Sequence, residues 1–407
     1  MRHRSTADFV TKQVEPLRGA DPLGRRLRAI TRRALSRRRP RRVLIGMFQI
    51  GTLNPALQDA LARRNIASTM ISWETHPFYD SGQDGAGPSS SFLARVRRRL
   101  RPYKAVLFPR RVEYVGLASA SRREHTLLGI LLVLRTILTH DTFIFVFGGS
   151  MDLQNRDLPL LRFLRRTVVM VFLGCDIRAR DAVLPLGRPF ATCTDCTERC
   201  VAAEKQARAR KAARYADLVL AQPEYAQYLS EYAYFWFPLD IRQWTPVRAD
   251  NPRPRVVHAP SHTGIKGTKY VNWAIAQLRD EGVEFDFVVL HNRPHTEIRE
   301  ELERCDIVVD QLMAGWYGLL TLEAMALGKC VLTYISSDLE RAHGVANVPV
   351  LSTNPATVVE NLRQAIADAA LRDRLGQAAR EFVVAHHDAD RVMGDVLRLI
   401  RSGSKSD

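Results

Sequence analysis

The sequence predicts an α/β protein of two domains, each built on a parallel sheet. Three observations carry this expectation. From Arg255 to Tyr334, the short apolar runs RVVHA, FDFVVL, DIVVD and KCVLTY alternate with helical patterns near 268–280, 294–304 and 318–327. Buried-type strands separated by helices make βαβ units, and such units build a parallel sheet. A second series of the same kind begins at Arg42–Phe48, and 407 residues exceed the usual span of one domain.

Taken in order, residues 1–41 hold no core pattern and read as a basic N-terminal extension. Between Arg25 and Arg42 ten arginines crowd around Leu27, Ile30, Ala34 and Leu35. That spacing allows a short basic amphipathic helix. Residues 42–240 read as the first domain. RVLIGMF is its opening strand. The loop QIGTLN with Gly51 follows, then a helix from about Pro55 to Arg64 and the strand ASTMIS. Residues 80–91 are Gly/Ser-rich and read as a loop, and Arg95–Arg101 is a further basic cluster. The apolar run Leu127–Leu138 is too short to span a bilayer and reads as a buried helix before the strand FIFVF. That strand ends in Gly148, Gly149 and Ser150. The helix DLPLLRFL, the strand TVVMVFLG and the loop CDIR come next. Asp176 in that loop is read either as a cleft residue or as a helix cap. A Lys/Arg/Ala-rich helix over 201–215, the strand DLVLA and the helix PEYAQYL close the domain.

The Pro-rich stretch 241–254 reads as a linker, 255–388 as the second domain, and 389–407 as a helix crossing back onto the first domain, with a tail. Ligands of parallel sheets bind beyond the carboxyl ends of the strands. After RVVHA comes PSHTGIKGT, with Ser261, His262, Gly264, Lys266, Gly267 and Thr268 opening into a helix. Exposed amides and a flanking lysine make an anion site there. After DIVVD comes QLMAGWYG, whose Gly315 and Gly318 permit close backbone approach to a ligand. Glu323 lies on the next helix among Leu322, Ala324, Met325 and Leu327. A carboxylate on an apolar face needs a partner, and one at this place can accept both hydroxyls of a ribose.

The segments IKGT and GWYGLLTLEAMALGK resemble the nucleotide-binding domain of the family-4 retaining glycosyltransferases of GT-B fold. The likeness is strong over 255–334 and continuous over about 43–400. It implies two Rossmann-like domains with parallel sheets facing across a cleft. It also implies a nucleotide-diphosphate sugar as donor, with Lys266 on the diphosphate and Glu323 on the ribose. Trp316, Tyr317, Gly318, Leu319 and Leu320 would present backbone amides to phosphate and sugar. Gly51, Gly148, Gly149, Ser150 and Asp176 would face the acceptor. No catalytic cofactor is implied. The implied pathway is cell-envelope or polysaccharide assembly, with a glycan or lipid-linked acceptor. The sequence departs from the family pattern at Gly315, where a second glutamate is usual, at Pro260, where an arginine is frequent, and at Leu173, where a histidine is usual. These departures keep open a second reading, a GT-B-like nucleotide-sugar-binding protein with impaired catalysis.

The net charge of +17 is uneven, at +19 over the first 200 residues and −2 over the rest. An anionic partner of the first half is expected, such as a phospholipid surface. A polyanion-binding protein using the Arg-rich arm is a third reading. It is disfavoured, since the arm lacks the interleaved aromatics on which bases stack, and no specific nucleic acid is expected. No run of about 20 apolar residues and no secretory h-region occurs, so a cytoplasmic protein, peripheral on the inner membrane face, is expected. Cys193, Cys196 and Cys200, with Cys175 upstream, have the spacing of a structural zinc site.

Overall fold

The computed structural model describes residues 40–72, 133–152, 154–180, 190–194, 200–229, 231–249 and 251–402. Most of the Arg-rich arm, the Gly/Ser-rich stretch 80–91, the cluster Arg95–Arg101, residues 127–132 and Cys196 lie outside the described residues.

Runs rich in β-branched and aromatic residues form the first sheet, because such side chains pack well on a pleated surface. Its strands and helices in chain order are β1 (Arg42–Met47), α1 (Leu53–Ala62), β2 (Ala67–Ser72), β3 (Thr142–Val146), α2 (Leu158–Phe163), β4 (Thr167–Val171), α3 (Ala202–Tyr215), β5 (Leu218–Ala221) and β6 (Ala233–Tyr234). The six strands lie in the order β2-β1-β3-β4-β5-β6, all parallel. The helix expected at PEYAQYL is present over Pro223–Tyr228 as a 3-10 helix.

The second half repeats the plan with β7 (Arg255–His258), α4 (Thr263–Lys266), α5 (Thr268–Asp280), β8 (Asp286–Val289), α6 (His295–Arg304), β9 (Ile307–Val309), α7 (Leu319–Ala326), β10 (Cys330–Thr333), α8 (Ser337–His343), β11 (Leu351–Ser352), α9 (Val358–Ala367), α10 (Ala369–His386) and α11 (Ala389–Ser402). The order is β11-β10-β9-β7-β8, again all parallel. The apolar run FDFVVL predicts a buried strand at β8. It is the sheet edge and is half-exposed, since an apolar run alone does not tell an edge from a centre.

One apolar cluster runs from the first domain into the second, joining Val43, Ile45, Leu57 and Val171 to Val257, Trp316, Leu322 and Val396. Each sheet covers its other face with a separate cluster. Each fully buried aliphatic side chain contributes about 1.5–3 kcal/mol. The chain returns to the first domain at its end. Leu239 N donates to His387 O at 2.8 Å, and Ala389 N donates to Leu239 O at 3.0 Å. Asp390 of α11 then accepts from Arg63 at 2.8 Å and Arg64 at 2.7 Å, just past α1. No helix among the described residues is long and apolar enough to cross a membrane.

A buried histidine ties the second sheet to its first long helix. His258 Nδ1 lies 2.8 Å from Val309 O, and its Nε2 lies 2.9 Å from Thr268 Oγ1. A carbonyl only accepts, so Nδ1 carries the proton and Nε2 accepts from the threonine. Burial pushes the pKa of His258 down to about 4. A depressed histidine contributes stability that is complete above its unfolded pKa of about 6.5 and is lost as pH falls toward the folded value. Asp157 and Asp176 are raised by burial to about 6 and act in the opposite sense over much of this window. Subtracting a variant therefore isolates the histidine. The stability advantage of wild type over His258→Gln should shrink by about 3 kcal/mol between pH 7 and pH 4. Urea unfolding at both pH values checks this, and a constant difference would place the ring in water.

Candidate active site

The carboxyl ends of β7 and β9 bring the two sequence-predicted residues to one loop system. Lys266 does not sit in an open loop, as the sequence suggested. It ends the single turn α4, and Gly267 follows in the left-handed region at φ 75° before α5 begins. A side chain at 267 would strain the backbone and press on Leu312 and Met313, with the added Cβ 3.2 Å from Leu312 Cβ. Lys266 Nζ donates to Asp310 Oδ1 at 2.6 Å and to Gln311 Oε1 at 3.1 Å. Thr321 Oγ1 of α7 donates to the other carboxylate oxygen of Asp310 at 2.6 Å. An ammonium has three donors, so two are used and one remains for a ligand oxygen. Gln311 Nε2 donates in turn to Trp316 O. The glutamine thus couples the lysine to the GWYG loop.

Glu323 lies two residues beyond Thr321 on the same helix. Its surroundings leave it 2% exposed, and the partners that burial demands are present. Thr52 Oγ1 of the first domain donates to Oε1 at 3.0 Å. His295 Nε2 of α6 lies 3.0 Å from Oε2. Burial alone would lower the pKa of His295, but the hydrogen bond and charge of Glu323 outweigh it and raise it. Each carboxylate oxygen keeps acceptor capacity beyond these bonds. Lys266 and Glu323 are therefore linked through Asp310 and the first turn of α7, beyond the carboxyl ends of β7 and β9. The N-terminus of α7 at Gly318 has no side-chain cap, so its first amides are open to an anion.

The remaining loop residues divide by role. Ser261 is exposed, and His262 caps α4 by accepting from Ile265 N at 3.2 Å. Gly264 is half-buried within α4, and its carbonyl accepts from Gly267 N at 3.2 Å. The side chains of Trp316 and Tyr317 are turned inward and are each 2% exposed. Leu319 and Leu320 form the first turn of α7 and are half-buried. Gly315 has φ 75°, and an added Cβ there would lie 3.3 Å from Ser336 Cβ and 3.4 Å from Leu339 Cδ1. A glutamate there would strain the backbone and press on Ser336 and Leu339.

In the first domain, Gly51 adopts φ 51° beside Thr52. Gly148 and Gly149 permit tight strand-end packing, since an added Cβ would come within 2.7 Å of Phe172 and 2.6 Å of Phe48 respectively. Ser150 is buried. Its Oγ donates to Asp152 O and to Asp157, so it braces its own loop rather than facing a ligand. Asp176 is likewise turned into its own loop, accepting from Leu173 N and, at 2.6 Å, from Gly174 N. Of its two readings, the local cap fits this geometry, though it caps a loop rather than a helix. Among the described residues no three His, Cys, Asp or Glu side chains gather as a metal ion needs. Cys175 is exposed, Cys193 is buried, and Cys200 accepts from Lys205 Nζ at 3.2 Å.

Sequence reasoning missed Asp310, Thr52 and His295. A charged residue closing a buried strand was the available sign for Asp310. Nothing local marks the other two.

Comparison with solved structures assigns the architecture to the GT-B fold. Similar structures are HepE of Anabaena in complex with UDP-glucose, sucrose-phosphate synthase from Thermosynechococcus elongatus, and a glycosyltransferase from Rickettsia africae. HepE has a TM-score of 0.57 at 14% identity, with 89% of this chain and 100% of that chain covered. The synthase has a TM-score of 0.57 at 13% identity, with 89% and 99% covered. The Rickettsia protein has a TM-score of 0.55 at 10% identity, with 90% and 99% covered. Residues 262–382, which hold Lys266 and Glu323, match the family model described as Glycosyl transferases group 1. No curated protein matches the chain.

Proposed function

We propose that the protein transfers a glycosyl group from a nucleotide-diphosphate sugar to an acceptor hydroxyl. The observation that carries this reading is the pairing of a lysine with one unused donor and a buried carboxylate with unused acceptor capacity on one loop system. Lys266 and the open amides of α7 would hold the diphosphate and stabilise the negative charge that develops as it leaves. Glu323, oriented by Thr52 and His295, would hold the ribose hydroxyls. Binding of UDP-glucose by HepE, at 14% identity, supports the donor class. Closure of the cleft would exclude water and limit hydrolysis.

Retention of anomeric configuration, a glycan or lipid-linked acceptor, an envelope or polysaccharide pathway, and association of the basic first half with anionic lipid belong to the same proposal. The direct test is release of nucleoside diphosphate from a panel of nucleotide sugars by the purified full chain. Turnover of at least one donor is expected. Binding without turnover across the panel with candidate acceptors would favour the impaired binder instead. The cysteine cluster is proposed as a structural zinc site only. Stoichiometric zinc in the purified protein, lost in Cys196→Ser, is the expected result, and metal-free wild type would remove it.

A further inference from the structure

Among the described residues, the seam between the domains holds three buried polar atoms without hydrogen-bond partners, and they belong to neighbouring side chains. They are Trp316 Nε1 and His343 Nε2 of the second domain and Glu224 Oε2 of the first. The indole of Trp316 stacks on the imidazole of His343, with ring centroids 3.7 Å apart and planes 14° apart. His343 Nε2 faces Glu224 Oε2 at 3.9 Å, too far for a hydrogen bond. The other functional atoms of the group are engaged. His343 Nδ1 meets Tyr234 Oη at 2.8 Å, and Glu224 Oε1 accepts from Arg178 at 3.2 Å.

An unpaired buried polar atom costs about 1–3 kcal/mol, and native proteins keep few of them. Three at one seam point to a ligand that satisfies them. Its chemistry follows from the atoms. The indole N–H only donates, the carboxylate oxygen only accepts, and the imidazole nitrogen does either. Hydroxyl groups, which donate and accept at once, meet all three. Charge selects in the same direction. Arg178 balances Glu224, so the group carries no net charge to hold an anion, and the free carboxylate oxygen would repel a phosphate. An uncharged polyhydroxylated molecule remains.

The place is continuous with the donor site. Gln311 links Lys266 to the backbone of Trp316, whose ring forms one wall of the group. Gly315 puts no side chain beside it. We propose that Trp316, His343 and Glu224 form a hydroxyl-binding subsite for the sugar of the nucleotide donor, closed by the first domain. A hydroxyl oxygen bonding two atoms at about 2.8 Å each, with a tetrahedral angle, separates them by about 4.6 Å. The 3.9 Å gap therefore widens by less than about 1 Å to admit it. The sugar would then bridge the two domains.

This inference rests on the proposed function and is tested so that the two fail differently. Wild type, Glu224→Gln and Trp316→Phe are titrated calorimetrically with UDP, GDP and TDP and with the corresponding glucose conjugates. Glu224→Gln keeps the shape of the side chain, and Trp316→Phe keeps an aromatic stack while deleting the N–H. The expected result is a sugar nucleotide bound about tenfold more weakly by Glu224→Gln and about threefold more weakly by Trp316→Phe, with diphosphate affinity unchanged. Equal weakening of diphosphate and conjugate in both variants would show a structural role and overturn the subsite. Unchanged affinities for both would also overturn it. Failure of wild type to bind any of the six compounds would contradict the proposed function itself, and the subsite with it.

Discussion

Asp310→Ala should cost about 3–5 kcal/mol of stability and remove nucleotide binding with it. The carboxylate is fully enclosed, and both oxygens are committed, one to Lys266 and one to Thr321. Its removal leaves the 12%-exposed lysine side chain without its counter-charge, and the penalty of such a break exceeds the net worth of the pair. It also releases the first turn of α7, which carries Glu323. Both ends of the proposed ligand grip would move at once. Asp310→Asn keeps the shape and one acceptor, so a smaller loss of stability is expected. Chemical unfolding of the two variants beside wild type checks the order. Near-equal stability of wild type and Asp310→Ala would mean that the pair is solvated.

Gly376→Ala should be nearly as damaging although it touches no ligand. An added Cβ on α10 would lie 2.0 Å from Gly328 O and 2.9 Å from Gly328 C, just after the end of α7. Both contacts are backbone, so no side chain can swing aside. Overpacking of this kind costs about 1–3 kcal/mol or more, and the backbone clash puts this site at the upper end. The same helix holds α7 in a second way. Arg380 donates to Ala326 O at 2.9 Å and to Trp244 O at 2.6 Å, tying the free carbonyl end of α7 to the linker. Pushing α10 outward would therefore shift Glu323 as well. A lowered melting temperature is expected, with Gly394→Ala as the comparison. Gly394 of α11 is likewise a helix glycine without a positive φ, but an added Cβ there would meet the tip of the Arg64 side chain at 3.4 Å rather than backbone.

Periodicity made most of the second half legible. The strands at 255, 307 and 330 and the helices at 268 and 319 are short, strongly patterned and bounded by turn residues. Their order implies the parallel sheet. Lys266 and Glu323 were visible for a related reason, because each is a charge at a place where the pattern demands an apolar residue or a loop. What the sequence hid is long-range. Thr52 meets Glu323 across 271 residues, and a threonine after a glycine carries no mark of such a partner. Gly376 resembles any helix glycine until the neighbouring backbone is in place. Ser150 and Asp176 stand at strand ends, where ligand contacts are expected, and both turn back to hold their own loops. Position along the strand was readable there, but side-chain direction was not.

The site stands or falls on whether Lys266 and Glu323 hold one molecule between them. The most direct measurement is the thermal stabilisation of wild type, Lys266→Ala and Glu323→Ala by nucleotide sugars, each variant referred to its own unliganded melting temperature. A donor at 100 times its Kd should add about 2.7 kcal/mol to the stability of wild type, and neither variant should gain it. The same gain in both variants would place the nucleotide elsewhere and contradict the account.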